Sequence, residues 1–291
     1  ERRTKMKIAI VGLGLIGGSI CKALKKSTFH HIMGLDADGE VCKKALDSGA
    51  IDEIITANEL SDADMTMLCL YPETIVEFVK QHKDKFKPGS IVTDSCGIKE
   101  YVVTRCTEVL EPLGVIFVGS HPMAGREFSG FDYSTDDLFK GASYIITPSE
   151  NTPKMAIDLL STLACCMGFK VVTATPKQHD INIAFTSQLA HVVSNAYVKS
   201  PSLFNADGFS AGSFMDLTRV AKLNEYMWSS LFLCNKEALL FELNTIIDNL
   251  CEYRDAINND DIDTLRDILR DGRERKEKSN ELYAEHARRK V

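Results

Sequence analysis

A glycine-rich turn near the start of the chain constrains its fold more than any other feature. The turn follows the apolar run Lys7–Val11, opens a helical stretch, and reads Gly12-Leu13-Gly14-Leu15-Ile16-Gly17. In such a turn the first glycine supplies the backbone geometry and the second lets the main chain approach a diphosphate. The third allows close helix–strand packing, and the helix N-terminus faces the phosphates. The order of strand, turn and helix predicts a dinucleotide-binding unit.

An acidic residue at the end of the second apolar run supports this interpretation. Asp36 follows at a spacing of about 20 residues, where a carboxylate accepts hydrogen bonds from ribose hydroxyls. The same charge would repel a 2′-phosphate, which favours NAD over NADP as the cofactor. The alternative is an ordinary βα turn in which Asp36 only caps a helix. The predicted cofactor-binding residues are Gly12, Leu13, Gly14, Leu15, Ile16, Gly17 and Asp36.

Short apolar runs alternate with amphipathic stretches up to about residue 175. Most runs are rich in isoleucine and valine and carry few charges, as strands buried on both faces do. They cover Lys7–Val11, Ile32–Leu35, Thr66–Leu70, Ser90–Thr93, Val115–Val118, Tyr144–Thr147 and Lys170–Thr173. This alternation predicts an α/β fold with a Rossmann-type, mostly parallel sheet over residues 1–174.

The pattern changes beyond His179, where no further strand is predicted. Ile181 to Val198 is apolar almost all round, as in a helix buried in a bundle. Glu225 to Ile257 keeps a helical period, and a charged helix is predicted from about Ile262 to Arg289. We therefore expect an all-α domain over residues 175–291. Its apolar helices exceed what one small domain buries, so we expect this half to form a homodimer.

Composition limits the classes of partner. The 291 residues carry a formal net charge of −7, which repels nucleic acid and anionic membranes, so neither is expected as a partner. No apolar run is long enough for a membrane-spanning helix. The nine cysteines show no CxxC spacing, and His179 and His191 are not at metal-ligand spacing, so no disulfide framework and no metal site are predicted. A cytoplasmic location is expected, and an anionic substrate would need a local cluster of cations.

Three side chains are candidates for chemistry on a small organic acid. His121 follows a buried strand, and we expect it in a loop at the carboxyl edge of the sheet, where ligands bind in open α/β folds. A histidine there can accept a proton near neutral pH. His191 lies within an apolar helix and needs a polar partner or a ligand. Arg219 is flanked by apolar residues and can bind a carboxylate through two parallel hydrogen bonds.

Each candidate has a structural alternative. His121 also fits a loop histidine with a hydrogen-bond partner of its own. His191 fits a core histidine bonded to a backbone carbonyl, and Arg219 could pair with Asp216, three residues earlier. The residues alone therefore lead to an NAD enzyme with two or three cationic candidates for an organic anion.

Taken together, the motifs resemble those of the prephenate dehydrogenases, a family of tyrosine-pathway enzymes that includes arogenate-using relatives. The similarity runs nearly end to end, and its most specific parts are the His-Pro-Met-Ala-Gly and Thr-Arg-Val-Ala runs. After the glycine turn it rests on Thr93-Asp94 with Lys99, Gly119-Ser120-His121-Pro122-Met123-Ala124-Gly125, His179-Asp180, Ser187-Gln188-Leu189-Ala190-His191, Asp216-Leu217-Thr218-Arg219-Val220-Ala221 and Met227-Trp228.

The resemblance implies oxidative decarboxylation of prephenate to 4-hydroxyphenylpyruvate, with reduction of NAD. It implies that His121 is catalytic, holding the ring hydroxyl and accepting its proton. It also implies that Arg219 binds the ring carboxylate and that His191 and Ser187 face the pyruvyl side chain. Arogenate, which differs by an amino group on that side chain, is the alternative substrate.

Some positions depart from the family pattern. Many members carry a serine in an Asp-x-Gly-Ser-x-Lys loop beside the histidine, and here Gly97 takes its place. We expect Ser95 or a water to replace its hydrogen bond, or His121 to be oriented differently. Gln188 and Ala190 stand where a histidine and a proline are common. More distant alternatives are an imine or β-hydroxyacid reductase, which would carry a catalytic lysine or aspartate in the helical domain, and a non-catalytic NAD-sensing dimer.

Overall fold

The computed structural model describes residues 5–126, 128–205, 208–209 and 211–288. Its strands are β1 (Lys7–Val11), β2 (His31–Leu35), β3 (Glu53–Ile54), β4 (Met65–Leu68), β5 (Ile91–Asp94), β6 (Ile116–Pro122), β7 (Ser143–Thr147) and β8 (Lys170–Thr173). Its α-helices are α1 (Leu15–Ser27), α2 (Gly39–Asp47), α3 (Pro72–His82), α4 (Glu100–Leu110), α5 (Lys154–Cys166), α6 (Pro176–Ile183), α7 (Ala190–Tyr197), α8 (Gly212–Thr218), α9 (Glu225–Cys234), α10 (Lys236–Asn258) and α11 (Ile262–Arg288). These elements fall into two compact units, Glu1–Ala238 and Leu239–Val291.

One eight-stranded sheet forms the centre of the first unit. Its strand order is β3-β2-β1-β4-β5-β6-β7-β8, and every neighbouring pair is parallel except β6 with β7. This confirms the predicted Rossmann-type, mostly parallel sheet followed by helices. Strand β3 was not predicted, because it has only two residues and both are exposed.

Side chains on the two faces of the sheet enter two separate apolar cores. Within β1, Ile8 and Ile10 pack into one core with α1 and α5, while Ala9 and Val11 pack into the other with α3 and α4. Successive side chains of a strand point to opposite faces, so a strand covered on both sides is apolar at every position. This arrangement explains why the strands read as unbroken apolar runs.

The strand order reverses between β1 and β4, and this reversal determines where a ligand can bind. Crossovers leave the two strands in opposite directions across the sheet, so a crevice opens beyond their carboxyl ends. Gly12 lies at the end of β1 with φ +89°, a conformation that favours glycine. Its amide donates to the carbonyl of Leu35 at 2.8 Å, which continues the pairing of β1 with β2. The glycine turn therefore lies at this crevice.

His121 was predicted in a loop, and that prediction is wrong. Strand β6 extends through Pro122, because β7 pairs with it in the antiparallel direction and places His121 opposite Ile145. The partner strand comes from a later part of the chain, so the local pattern gave no sign of the extension. His121 is therefore held by a strand ladder rather than by a flexible connection.

The helical half also differs in detail from its prediction. The stretch from Pro176 to Tyr197 is interrupted by a π-helical segment, Ala184–Leu189, and the stretch from Glu225 is broken at Asn235 between α9 and α10. Ile181, Phe185 and Tyr197 are exposed, so the predicted burial on all sides is not met within the single chain. The predicted end at Arg289 lies outside the described residues. The domain boundary at residue 174 stays a prediction.

The second unit contains α10 from Leu239 onwards and α11, with the turn residue Asp260 at φ +51° between them. Several large apolar side chains of α10 are exposed, namely Leu240, Phe241, Ile247, Leu250 and Ile257. Among the helices of the described residues, none combines the length and apolar character needed to cross a membrane.

Candidate active site

The glycine turn offers the space and the donors that a diphosphate needs. Apart from Gly14 itself and its two chain neighbours, the described part of the chain has no atom within 4 Å of the position that a Cβ on Gly14 would take. Gly14 is the N-cap of α1 and supplies no side-chain cap, so amide groups of the first helical turn are free to meet an anion. A Cβ on Gly17 would lie 1.8 Å from the carbonyl oxygen of Gly12, so only glycine allows this approach of helix to strand. The turn therefore fits a dinucleotide.

Asp36 is tied to the glycine turn. Its Oδ2 accepts from the amide of Leu13 at 2.7 Å, and its Oδ1 accepts from the amide of Asp38 at 2.9 Å. The N-cap of α2 is Asp38 and not Asp36, so Asp36 is not simply a helix cap. The Leu13 side chain is buried, whereas those of Leu15 and Ile16 are half-buried. Leu13 can therefore contact a cofactor only through its backbone.

Replacing Asp36 with alanine should weaken the binding of NAD and shift the cofactor preference towards NADP. Losing a charged acceptor for the ribose should raise the KM for NAD about 10- to 100-fold, and losing the negative charge should improve the NADP/NAD ratio of kcat/KM. Steady-state kinetics with both cofactors measures this. The matched control is Asp38→Ala, which removes the cap of α2 at about 0.5–2 kcal/mol of stability but should leave cofactor preference unchanged. An unchanged preference in the Asp36 variant would mean that this carboxylate faces elsewhere.

His121 is joined to a second histidine and an aspartate that sequence reasoning did not assign to the site. Its Nδ1 lies 2.9 Å from Nε2 of His179, and Nδ1 of His179 lies 2.7 Å from Oδ1 of Asp180. Asp180 also accepts from the amides of Lys99 and Glu100, both at 2.8 Å, at the start of α4. The three side chains therefore form one hydrogen-bonded row that ends on a helix N-terminus.

A buried ion pair lies behind this row. The ammonium of Lys99 donates to the carboxylate of Asp94, and both side chains are fully buried. Asp94 also accepts from the amide of Ser120 at 3.1 Å and from that of Cys96 at 3.0 Å. A buried charge needs a partner and further hydrogen bonds, and this pair has both. The pair connects the ends of β5 and β6 to the start of α4, next to His121.

Both histidines of the row favour the neutral form. The pKa of His121 lies well below its usual range, because burial disfavours the charged ring and because His179 and the cation Lys99 are close. The pKa of His179 is also lowered, since burial outweighs the hydrogen bond to Asp180, and Lys99 again contributes. His121 is therefore available as a proton acceptor at neutral pH.

The space beside His121 is left open by Gly97. A Cβ there would lie 3.7 Å from Cε1 and 3.8 Å from Nε2 of His121, and 3.8 Å from Leu231. Ser95, one of the expected substitutes for a serine, instead hydrogen-bonds to the thiol of Cys69, whose pKa burial raises to about 12. His121 is held through its other nitrogen by His179. A water beside Gly97 stays a prediction.

His191 and Arg219, the two candidates of the helical half, lie close to each other. Nδ1 of His191 lies 2.8 Å from the carbonyl oxygen of Ser187, and its ring packs on Trp228 with centroids 4.0 Å apart. The pKa of His191 is lowered by burial and by the nearby charge of Arg219, although the bond to the Ser187 carbonyl opposes the shift. Arg219 itself is exposed, and it forms no ion pair with Asp216 within the described residues.

Helix α9 extends from His191 to Gly97, the neighbour of His121. Trp228, which packs on His191, and Leu231, which lies beside Gly97, are three residues apart and therefore share one face of the helix. The side chain of Gln188 donates to the carbonyl of Leu231 at 3.1 Å and accepts from Asn235 at 2.8 Å. Gln188 thus fixes the backbone of α9 at Leu231. The π-helical segment that contains Gln188 is of a kind that is common at functional sites.

Comparisons with known proteins identify the family of the chain. A family model described as the prephenate dehydrogenase nucleotide-binding domain matches residues 20–173, and one described as the prephenate dehydrogenase dimerization domain matches residues 175–271. Prephenate dehydrogenase of Bacillus subtilis is 31% identical over 270 residues, which are 90% of this chain and 72% of that protein.

Solved structures lead to the same family. The prephenate dehydrogenase of Aquifex aeolicus, in complex with hydroxyphenyl propionate and NAD+, has a TM-score of 0.85 and 31% identity, covering 97% of this chain and 100% of that one. The arogenate dehydrogenase of Synechocystis has a TM-score of 0.81 and 27% identity, covering 94% of this chain and 100% of that one. With both family models matched over most of its length, the chain belongs to the prephenate dehydrogenase family.

Proposed function

We propose that this protein oxidises and decarboxylates prephenate, with NAD as the hydride acceptor, to give 4-hydroxyphenylpyruvate, carbon dioxide and NADH. The observation that carries the proposal is the position of His121 at the carboxyl edge of the sheet, where Nδ1 meets His179 and no residue in the described part of the chain hydrogen-bonds to Nε2. Family membership displaces the imine and β-hydroxyacid reductases as alternatives. The helical half, with its match to a dimerization domain and its exposed apolar side chains, forms a homodimer.

The glycine turn and Asp36 hold the cofactor in this proposal. The free amides at the start of α1 bind the diphosphate, and the open side of Gly14 lets it approach the backbone. The carboxylate of Asp36 accepts from the ribose hydroxyls. When bound, NAD supplies the hydride acceptor, and the remaining steps belong to the side chains of the chain.

His121 acts as the general base. Its Nε2 accepts the proton of the ring hydroxyl while hydride leaves the carbon that bears this hydroxyl, so a carbonyl forms. The C–C bond to the ring carboxylate then breaks, and its electron pair moves through the ring to the carbonyl oxygen. This oxygen takes the proton back from Nε2 of His121, carbon dioxide leaves, and the ring becomes aromatic with a phenol hydroxyl. A base held by a strand ladder on one side and His179 on the other is well placed for this transfer.

Arg219, His191 and Ser187 bind the substrate in this proposal. Arg219 is exposed and free of an internal ion pair in the described part of the chain, so its guanidinium is available to the ring carboxylate. Arg219→Ala should mainly raise the KM for prephenate, by about 10- to 100-fold, because a charged hydrogen-bonding partner contributes about 1.5–3 kcal/mol. Steady-state kinetics at saturating NAD measures the effect. A variant with the wild-type KM would remove Arg219 from substrate binding.

The direct test is to incubate the pure protein with NAD and prephenate and to follow NADH absorbance and the appearance of 4-hydroxyphenylpyruvate. We expect both products to form in equal amounts. Binding of NAD without NADH formation would instead favour the non-catalytic NAD-sensing dimer.

A feature of His191 favours arogenate as a second candidate substrate. The carbonyl of Ser187 can only accept, so Nδ1 of His191 carries the proton and Nε2 of the neutral ring is an acceptor. An acceptor suits the ammonium group of arogenate better than the keto oxygen of prephenate. Comparing kcat/KM for the two substrates decides between them, because an acceptor role predicts substantial turnover of arogenate and no turnover of arogenate would contradict it.

A further inference from the structure

We propose that His179 and Asp180 are positioning residues that fix the proton of His121 on Nδ1 and leave Nε2 as the base. The consequence for catalysis rests on the proposed function, whereas the tautomer itself follows from hydrogen-bond geometry and from the burial of His179. Only at the Asp180 end of the row does the backbone fix which groups donate and which accept.

Asp180 sets the direction of the row. Its two oxygens accept from the backbone amides of Lys99 and Glu100, at 2.8 Å each, and a backbone amide can only donate. The side chain is buried, and its carboxylate also lies 2.7 Å from Nδ1 of His179. An acceptor already held by two donors receives a third hydrogen bond, so Nδ1 of His179 carries the proton.

The tautomer of His179 then determines the tautomer of His121. A neutral imidazole has one donor and one acceptor nitrogen, so Nε2 of His179 is an acceptor. Nδ1 of His121 lies 2.9 Å from it and must donate, which leaves Nε2 of His121 without a proton. The reverse arrangement needs a positively charged His179 that is 2% exposed, near the cation Lys99. Burial lowers the pKa of His179 and disfavours that charged form.

Nε2 of His121 faces Gly97. Gly97 contributes no side chain there, and a Cβ would still be 3.8 Å from Nε2. No hydrogen bond to this nitrogen is made by the residues that the structure describes. A substrate hydroxyl can therefore reach Nε2 directly, while Nδ1 is committed to His179. Asp180 is in turn held by the amide of Lys99, and Lys99 is fixed by its ion pair with Asp94.

The first test measures the tautomer without any activity. Nitrogen-15 chemical shifts of the histidine rings in the wild-type protein, assigned with His121→Asn and His179→Gln, should show protonated Nδ1 and unprotonated Nε2 on His121. A proton on Nε2 of His121, or a charged His179 at neutral pH, would overturn the proposal. Because this measurement needs no substrate, it stands even where prephenate turnover fails.

The second test compares two replacements of His179. In His179→Gln the side-chain carbonyl can accept from Nδ1 of His121 and the amide can donate to Asp180, whereas His179→Leu can do neither. Relative to wild type, we expect the leucine variant to lose about 10- to 100-fold in kcat with little change in KM, part of the 10²–10⁴ typical of a general base. The glutamine variant should recover most of the loss. Equal activity in the two variants, with equal melting temperatures and equal NAD binding, would contradict a positioning role.

Discussion

Replacing His121 with asparagine should lower kcat by about 10²–10⁴-fold while NAD binding stays unchanged. Asparagine keeps a polar side chain of similar reach but cannot accept a proton near neutral pH, so the variant loses general-base catalysis alone. The residue lies on β6, opposite Ile145 and three strands away from β1, whose glycine turn is our proposed cofactor site, so cofactor affinity should survive. Stopped-flow or steady-state NADH formation gives kcat, and fluorescence titration gives the Kd for NAD. Wild-type turnover would remove His121 from the mechanism.

The pH dependence of kcat/KM in the wild-type enzyme should follow the ionisation of His121. A base works in its neutral form, so activity falls as pH drops through its pKa. Burial, together with His179 and Lys99, holds the pKa of His121 well below 6.5. The acid limb of kcat/KM should therefore lie below pH 6.5, with a plateau at neutral pH. The prediction would be wrong if the acid limb lay above pH 6.5 and disappeared in His121→Asn. The pKa of His121 would then be raised in the free enzyme rather than lowered.

The largest effect on stability is expected for Lys99→Met. Methionine fills similar space but leaves the carboxylate of Asp94 buried without its cation, and breaking a buried ion pair in this way costs about 3–5 kcal/mol. The free energy of unfolding should fall by that amount in a urea titration. The same variant should weaken catalysis, because the Lys99 amide that holds Asp180 loses its fixed position.

Lys87→Met is the matched control for this change. It breaks the ion pair of Lys87 with Asp64 at 2.7 Å, whose side chains are 48% and 39% exposed. Water screens such a pair, so the free energy of unfolding should change by no more than about 1 kcal/mol. Equal destabilisation by the two variants would show that burial of the Lys99 pair is not what makes it important.

The nucleotide-binding part of the fold could be predicted because its signals are local. The glycine turn, the apolar run before it and Asp36 lie within one βα unit, and the structure places all three as the pattern indicates. The extension of β6 could not be predicted, because the strand that pairs with it, β7, begins more than twenty residues later. His121 was therefore expected in a loop although it lies in a strand.

The row behind His121 could not be predicted for a related reason. His179 and His121 are 58 residues apart, and neither residue type nor spacing indicates that their rings meet. The adjacent His179-Asp180 was visible as a motif, but its meaning depends on the start of α4, which supplies the two amides. Full burial of Lys99 likewise depends on tertiary packing, since lysine is almost always solvated.

A crystal structure of His121→Asn with NAD and intact prephenate tests the central claim most directly. The variant should turn over slowly enough that crystals frozen soon after soaking still hold the ring carboxylate. We predict the substituted side chain beside the ring hydroxyl, the guanidinium of Arg219 on the ring carboxylate, and the diphosphate at Gly14. Residue 121 and Arg219 lining separate cavities, or a diphosphate bound away from the glycine turn, would contradict the account.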